Sequence, residues 1–447
     1  MKNMSIWKDY YKETNYESLT QDLDVDVLII GGGITGVSSL FHLRDSNLKV
    51  ALVEQNKIGL SVTGNSTGKL NYLQNDLIDK IRSFYDDEVA SLYLNSQIES
   101  IHHIESVVEE KKIDCDLEKI NSYLYTNDDK SIDKMKELEK FLIKNKIEVS
   151  KSNHELVDSK YMIMVNDTYI FNPLKFINGL LKDNKFPIYE NTSIIKIQKE
   201  KNTYICYTKS NKIKAKYVIL ASHYPYFLKP FLFPMKVSLE KSYLSASLYD
   251  IKPFSLISYS NPFISMRTYK NYLIYLSNSH SINKDVCDKD NFNELLKKVN
   301  KLDMKPQYLW SNMDIMTSDG LPFIGSLKDN MLIGTGYNTW GLTNGFLAGK
   351  ILSDIIMKRD NPYISLFSPN RKNSKNIVSY ISNTYKNVDG FIKGYLDSSS
   401  KYICPHLGCK LIYNEVENTF DCPCHGSRFH KDGKCISGPA NKDIDVN

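Results

Sequence analysis

No uninterrupted apolar run approaches the roughly 18 residues needed to span a bilayer, so no transmembrane segment is expected. The amino terminus, Met1 to Asp24, lacks the short apolar core and small-residue cleavage site of a signal peptide. The expected location is cytoplasmic. Lys and Arg never gather into a dense stripe, and a net charge of +5 is small for 447 residues, which argues against nucleic acid as a partner. Internal repeats and low-complexity tracts are missing too. Cysteine is scarce through the first four-fifths of the chain, where Cys115, Cys206 and Cys287 stand alone. The others, Cys404, Cys409, Cys422, Cys424 and Cys435, crowd the carboxyl end. In a cytosolic chain that crowding argues for metal rather than a disulfide framework. The length allows two or three domains.

What is present begins with a short apolar, β-branched run, Asp24 to Ile30, ending in Gly31-Gly32-Gly33-Ile34-Thr35-Gly36. Val37 to Asp45 reads as a helix, and Lys49 to Val53 as a second strand ending at Glu54. Strand, glycine turn, helix and strand in this order open a dinucleotide-binding fold. Gly31 and Gly33 permit the tight turn and close approach to pyrophosphate, and Gly36 lets helix and strand pack closely. Phosphate would sit at the helix N-terminus, and Glu54 is placed to accept hydrogen bonds from a ribose. A glycine loop without a ligand is the bland alternative.

Residues 75–150 read as a mostly helical insert with solvated charged faces, and residues 236–280 as an aromatic-rich antiparallel sheet. Motifs return at Asp319 to Gly325. Next come a strand, Met331 to Gly334, and the turn Gly336-Tyr337-Asn338-Thr339-Trp340-Gly341, which opens a helix to about Lys358. This aims a second helix N-terminus at a ligand. Asp360 to Asn376 reads as a crossing linker.

The tail holds Cys404-Pro405-His406-Leu407-Gly408-Cys409 and Cys422-Pro423-Cys424-His425-Gly426-Ser427. These read as two loops of a Rieske [2Fe–2S] centre, with Cys404 and Cys422 as thiolate ligands and His406 and His425 as imidazole ligands. The alternative for the same donors is tetrahedral structural zinc. Zinc ribbons do not require Cys409, Cys424, Ser427 and a Gly-Pro loop together.

Asp26 to Gly36, Asp319 to Gly325 and Gly334 to Gly345 resemble the D-amino-acid oxidase/glycine oxidase superfamily of FAD-dependent oxidoreductases. The tail is similar to that of bacterial flavoproteins with a carboxyl-terminal Rieske domain. The resemblance implies an α/β architecture: a Rossmann-like FAD-binding domain of the D-amino-acid oxidase type, an antiparallel α+β substrate domain and a small all-β cluster lobe. The implied boundaries are an extension at 1–24, FAD-binding segments at 25–235 and 305–358, a substrate domain at 236–304, a linker at 359–395 and the lobe at 396–447. Implied cofactors are FAD and a [2Fe–2S] cluster. Gly31, Gly33, Gly36 and Glu54 would hold the ADP half, with Gly336, Asn338, Trp340 and Gly341 beside the flavin. Lys69, where relatives pass close to the flavin, is a candidate catalytic cation or else an ordinary surface lysine. Tyr243 and Arg267 are expected to line the substrate region, and Arg267 could pair with a carboxylate. The resemblance also implies a Cys409–Cys424 disulfide and a covering loop at Ser437 to Ala440. The implied activity is oxidation of an amine-like or other small substrate at FAD. Electrons would then pass singly to the cluster and an external one-electron partner, acceptor or donor. A non-catalytic redox sensor or electron-transfer adaptor is the alternative.

One departure stands out. Gly390 to Tyr395 is followed almost at once by Cys404, so the strands that normally support such a lobe are largely missing. Either the flavin domain supports the lobe or the lobe is weakly stable. A second departure concerns potential. Ser427 matches a serine that donates to a bridging sulfide, but Phe429 replaces a donating tyrosine. With one donor fewer, the midpoint is expected in the middle or lower part of the roughly −150 to +300 mV Rieske span. An EPR-monitored redox titration checks this, and a value near the top contradicts it.

Overall fold

The computed structural model describes residues 1–224, 233–282, 287–372, 375 and 401–446. Leu23–Ile30 lies at the centre of the first sheet, parallel to Lys212–Leu220 on one side and Val50–Val53 on the other. Val27 through Ile30 are all buried, as expected of a parallel strand covered on both faces. Met331–Thr335 extends the sheet in parallel, and Phe323–Lys328 closes that edge antiparallel. The helix Ile34–His42 packs against Gly341–Met357 across the junction of the two glycine-rich turns. It starts three residues earlier than the sequence predicts, because the turn passes straight into helix at Ile34.

The second sheet has nine strands. Pro306–Thr317, Val237–Leu248, Tyr272–Ser281, Ser265–Tyr269 and Phe254–Ser258 form an antiparallel run, and Phe254–Ser258 then pairs parallel with Glu118–Thr126. Tyr161–Ile170 follows, carrying Lys69–Leu70 and Val149–Lys151. Two expectations are corrected here. The helical insert at 75–150 contains the strands Glu118–Thr126 and Val149–Lys151. The substrate sheet also draws on residues 69–170 and 306–317, not on 236–304 alone. Alternating burial at Ile120, Ser122 and Leu124 marks the first of these strands, but it is a short signal between two long charged helices.

The extension at 1–24 is part of the body. Ile6 and Trp7 are fully buried in a short 3₁₀ turn capped by Ser5, and the Trp7 indole donates to the Ser66 carbonyl at 2.7 Å. The expected linker is likewise packed over its first part. Phe367 is buried, the Ile324 N–H donates to its carbonyl, and Arg371 grips Asp319 through two nitrogens at 2.8 and 2.9 Å. The later part of the expected linker, with the segment Gly390 to Tyr395, lies outside the described residues.

The carboxyl-terminal lobe is a four-stranded antiparallel sheet, Ile412–Asn414, Thr419–Asp421, Arg428–His430 and Cys435–Ser437. It sits on the second sheet through a buried ionic seat. Lys241 from Val237–Leu248 reaches Asp421 of the lobe at 2.7 Å and Asp288 at 2.8 Å. Arg428 bonds Asp421 at 3.1 Å and Glu417 at 2.8 Å, while Glu417 accepts from the Ser311 N–H at 3.0 Å. Burial alone would raise the Asp421 carboxyl, but Arg428 and Lys241 hold it well below the usual carboxylate range. The second sheet thus supports the lobe directly through this seat. Lys241→Met leaves Asp288 and Asp421 facing each other without their shared cation, at an expected cost of about 3–5 kcal/mol. Urea unfolding followed through cluster absorbance reads this, and an unchanged midpoint contradicts it.

Candidate active site and cluster centre

A single large cleft runs between the glycine turn, the second sheet and the lobe, with about 1710 Å³ of space between its walls, mouth included. Gly31 has φ +113°, and a Cβ there would stand 2.6 Å from the Ala221 carbonyl oxygen. A Cβ on Gly36 would stand 1.9 Å from the Gly31 oxygen, so Gly36 serves helix-on-turn packing and does not line the cleft. Gly33 and Glu54 do line it. The Glu54 carboxylate accepts from the Gly32 N–H at 2.7 Å and the Asn56 N–H at 2.8 Å, which fixes its direction at the strand end. Burial pushes its pKa up.

On the opposite wall the expected residues divide between lining and shaping the turn. Trp340 and Gly341 line the cleft, with Tyr337, Thr339 and Leu342, which it missed. Gly336 and Asn338 do not. Asn338 has φ +51°, and its amide clamps the turn by donating to Gly320 and Gly336 carbonyls while accepting from the Thr317 N–H at 2.7 Å. These two shape the turn that presents their neighbours. The buried Ser222 Oγ, His223 Nε2 and Trp340 Nε1, all on residues lining the cleft, have no hydrogen-bond partner among the described residues. Buried polar atoms are normally paired, so these fit a polar ligand such as FAD.

Lys69 is buried and not on the surface. Its amine bonds the Ser265 hydroxyl within the cleft, and burial, with Arg267 nearby, lowers its pKa to about 7. Arg267 and Tyr243 are corrections. The Arg267 guanidinium is fully buried against the carbonyls of Thr67, Gly68, Phe171 and Thr268, 5.1 Å over the Trp7 ring, and does not line the cleft. Tyr243 bonds Asp288 and His280 on the other face of its strand, because Ser242 and Leu244 take the cleft side.

In the lobe the two loops close on one another. The Gly408 N–H donates to the Cys404 carbonyl and the Gly426 N–H to the Cys422 carbonyl, both at 3.0 Å, turning each loop tightly. The His406 and His425 rings lie 5.1 Å apart at 89°. His425 Nδ1 is buried with no hydrogen bond among the described residues, and burial lowers that imidazole to about 4. Cys404 and Cys422 are buried together, and the hydrogen bond between them is the largest cause lowering Cys404 to about 7. Two thiols and two imidazoles, with Cys404, Cys422 and His425 buried and His406 half-buried, fit a [2Fe–2S] cluster. Cys409 and Cys424 form a disulfide. The Cys409, Cys422 and Cys424 sulfurs all lie within 4.8 Å of one another, but two of them are joined and cannot ligate as thiolates. Ser427 Oγ accepts from the Ala440 N–H at 3.1 Å, pinning the covering loop. Gly438, at φ +99°, has room for no Cβ there, since one would stand 2.5 Å from Ser427 Cα.

The lobe and the cleft share a wall. Ile436, Ser437, Gly438, Ala440 and Asn441 line the same cleft as Gly31 and Lys69. Asn56 donates to the carbonyls of Cys435 and Ile436 at 3.0 and 3.1 Å, Ser193 donates to Asn441, and Tyr224 meets His425 edge-on at 6.0 Å. Sequence patterns offered no signal for Asn56, Ser193 or Tyr224, whose roles arise only when distant segments meet.

Residues 26–355 match the family model described as FAD dependent oxidoreductase, and residues 398–446 match the Rieske [2Fe-2S] domain. The chain belongs to the FAD dependent oxidoreductase family and carries a Rieske [2Fe–2S] domain, which makes it an oxidoreductase with FAD and an iron–sulfur centre. It is 27% identical to YhfW of Bacillus subtilis, a protein named for a Rieske 2Fe-2S centre, over 98% of this chain and 96% of that one. It is 23% identical to gamma-glutamylputrescine oxidoreductase of Escherichia coli, over 77% of this chain and 86% of that one. The glycine oxidase of Geobacillus kaustophilus superposes with a TM-score of 0.66 at 16% identity, covering 78% of this chain and 99% of that one, a likeness of fold. No helix among the described residues is long and apolar enough to cross a membrane.

Gly36→Ala cannot keep helix and turn together, so the variant is expected to purify with little or no FAD while iron content stays near that of the unaltered protein. The flavin-to-protein absorbance ratio and iron assay test this, and full FAD content contradicts it.

Proposed function

We propose that this protein oxidises an amine-like or other small substrate in the cleft and delivers the electrons one at a time, through the cluster lobe, to an external acceptor. The observation carrying this reading is the shared wall, where the glycine cradle and the turn Ile436 to Asn441 border one space. When bound, FAD supplies both two-electron and one-electron chemistry, which is what a substrate on one side and a one-electron carrier on the other require.

In this reading Gly31, Gly33 and Glu54 hold the ADP half, and Trp340 and Gly341 border the flavin end, where the N-terminus of Gly341–Met357 favours negative charge. Cys404, His406, Cys422 and His425 hold the cluster. Lys69, buried and bonded to Ser265, places a polarisable amine inside the cleft. The likeness in sequence to gamma-glutamylputrescine oxidoreductase supports an amine-type substrate. Lys241 and Arg428 keep the lobe seated while electrons pass.

An anaerobic reductive titration, followed by absorbance and EPR together, tests the coupling. Flavin and cluster are expected to exchange electrons and reach a common equilibrium at each addition. Independent bleaching with no exchange would overturn the proposal.

A further inference from the structure

The cleft-facing side of the second sheet carries an ordered set of polar groups. Ser242 and Leu244 line the cleft from one strand, and Asn312 and Asp314 from its neighbour. Across the ladder Ser242 stands opposite Asn312, and Glu240 opposite Asp314. Residues directly opposite share a face, so Glu240 neighbours Asp314 across the ladder, and Asp314 is the one of the pair that lines the cleft.

The other charged side chains lining the cleft are engaged within the protein. Glu54 accepts two backbone N–H groups, Lys57 bonds Glu190 and the Thr14 carbonyl, and Lys69 bonds Ser265. His223 is held neutral by burial, which lowers it to about 4. The Asp314 carboxyl has no hydrogen bond or ion pair among the described residues, and burial, with Glu240 beside it, pushes it up to about 7. Asn312 is 7% exposed, lines the same wall, and its amide has no hydrogen bond among the described residues. A buried amide and a half-buried carboxyl that both face a cavity, with no partner among the described residues, are a donor and an acceptor open to a ligand. A cation there would stabilise ionised Asp314 and offset its burial.

Resting on the reading of this cleft as the substrate site, the geometry points to Asp314, with Asn312 beside it, as the anchor for a substrate ammonium group, so that the substrate class is a small amine cation with no carboxylate next to the nitrogen. A carboxylate at that position would face Asp314, and like charges held close oppose binding. Asp314 is a specificity-determining residue in this scheme, and its effect falls on binding.

The test uses the FAD- and cluster-loaded protein under anaerobic conditions, titrated with n-butylamine, with norvaline, which is the same chain bearing a carboxylate, and with butyrate. Perturbation of the flavin spectrum reads binding without any turnover. Expected is a Kd for n-butylamine at least about tenfold lower than for norvaline, with no perturbation by butyrate, since a charge-assisted hydrogen bond of this kind is worth about tenfold or more. Asp314→Asn should weaken n-butylamine by about tenfold or more while Asp314→Glu retains part of the affinity. Asn312→Ala should weaken it less. FAD content and the cluster EPR signal report whether each variant is folded. Norvaline or butyrate binding as tightly as the amine, no perturbation by the amine, or unchanged affinity in folded Asp314→Asn overturns the inference. Amine binding that never leads to cluster reduction would sink the proposed function and leave Asp314 standing. Cluster reduction by the amine with affinity indifferent to Asp314 would do the reverse.

Discussion

A lysine taken out of water beneath a metal lobe is the constraint on which the rest of this molecule depends. Lys241 carries a full charge at a site where solvent offers almost no compensation, and Asp421 and Asp288 supply it from two different parts of the chain. Removing such charges from water costs several kcal/mol per ion, which is recovered only when every partner is in place. The seat therefore favours one orientation of the lobe. Arg428 and Glu417 extend the same arrangement to the Ser311 backbone. The lobe needs this, because its own core is small: Leu411, Phe429 and Ala440 are outnumbered by buried cysteines. A module of that size rarely holds together on apolar burial alone, and a disulfide, a metal site and a charged base contribute what the core cannot.

Once the orientation is fixed, the position of both chemical centres follows. The covering loop, pinned by Ser427 on one side, turns its other side to Asn56 and Ser193 at the edge of the first sheet. His425 meets Tyr224, which follows directly on His223, a lining residue of the cleft. The polar floor under the cleft comes from the same strands that carry the seat. Lys241 and Ser242 are adjacent in sequence and point to opposite faces, one to the lobe and the other to the cavity. Docking of the lobe and the polar wall of the cleft are thus built on two sides of a single ladder.

The parts of this arrangement legible in the sequence are those whose chemistry demands particular residues in a short contiguous stretch. Gly31, Gly33 and Gly36 are written by backbone geometry, and the Cys-x-His and Cys-x-x-His loops by metal coordination. The doubly wound α/β core and the small β lobe follow from these, and the fold neighbours agree. Sheet membership was harder to read. Glu118–Thr126 joins Phe254–Ser258 from well over a hundred residues away, and no local period announces such a partner. Side-chain direction was harder still. Arg267 and Tyr243 have the right residue types for a substrate pocket, yet one lies beneath the Thr67–Gly68 backbone and the other under a helix. Asn338 sits in the right turn but spends its amide on the turn itself. Lys241 reads as one polar residue in an alternating strand, and only the arrival of Asp421, 180 residues later, gives it a role.

The wall shared by lobe and cleft has a consequence for how the holoprotein comes together. Residues 436–441 stand far along the chain from the glycine turn at 31–36, yet both border the same cleft. Whatever occupies the cleft then touches both the early and the late parts of the chain. Thermodynamic reciprocity requires that a coenzyme held more firmly by the seated lobe must, to the same degree, hold the lobe in its seat. On that condition, cofactor loading and seating of the lobe are one linked equilibrium.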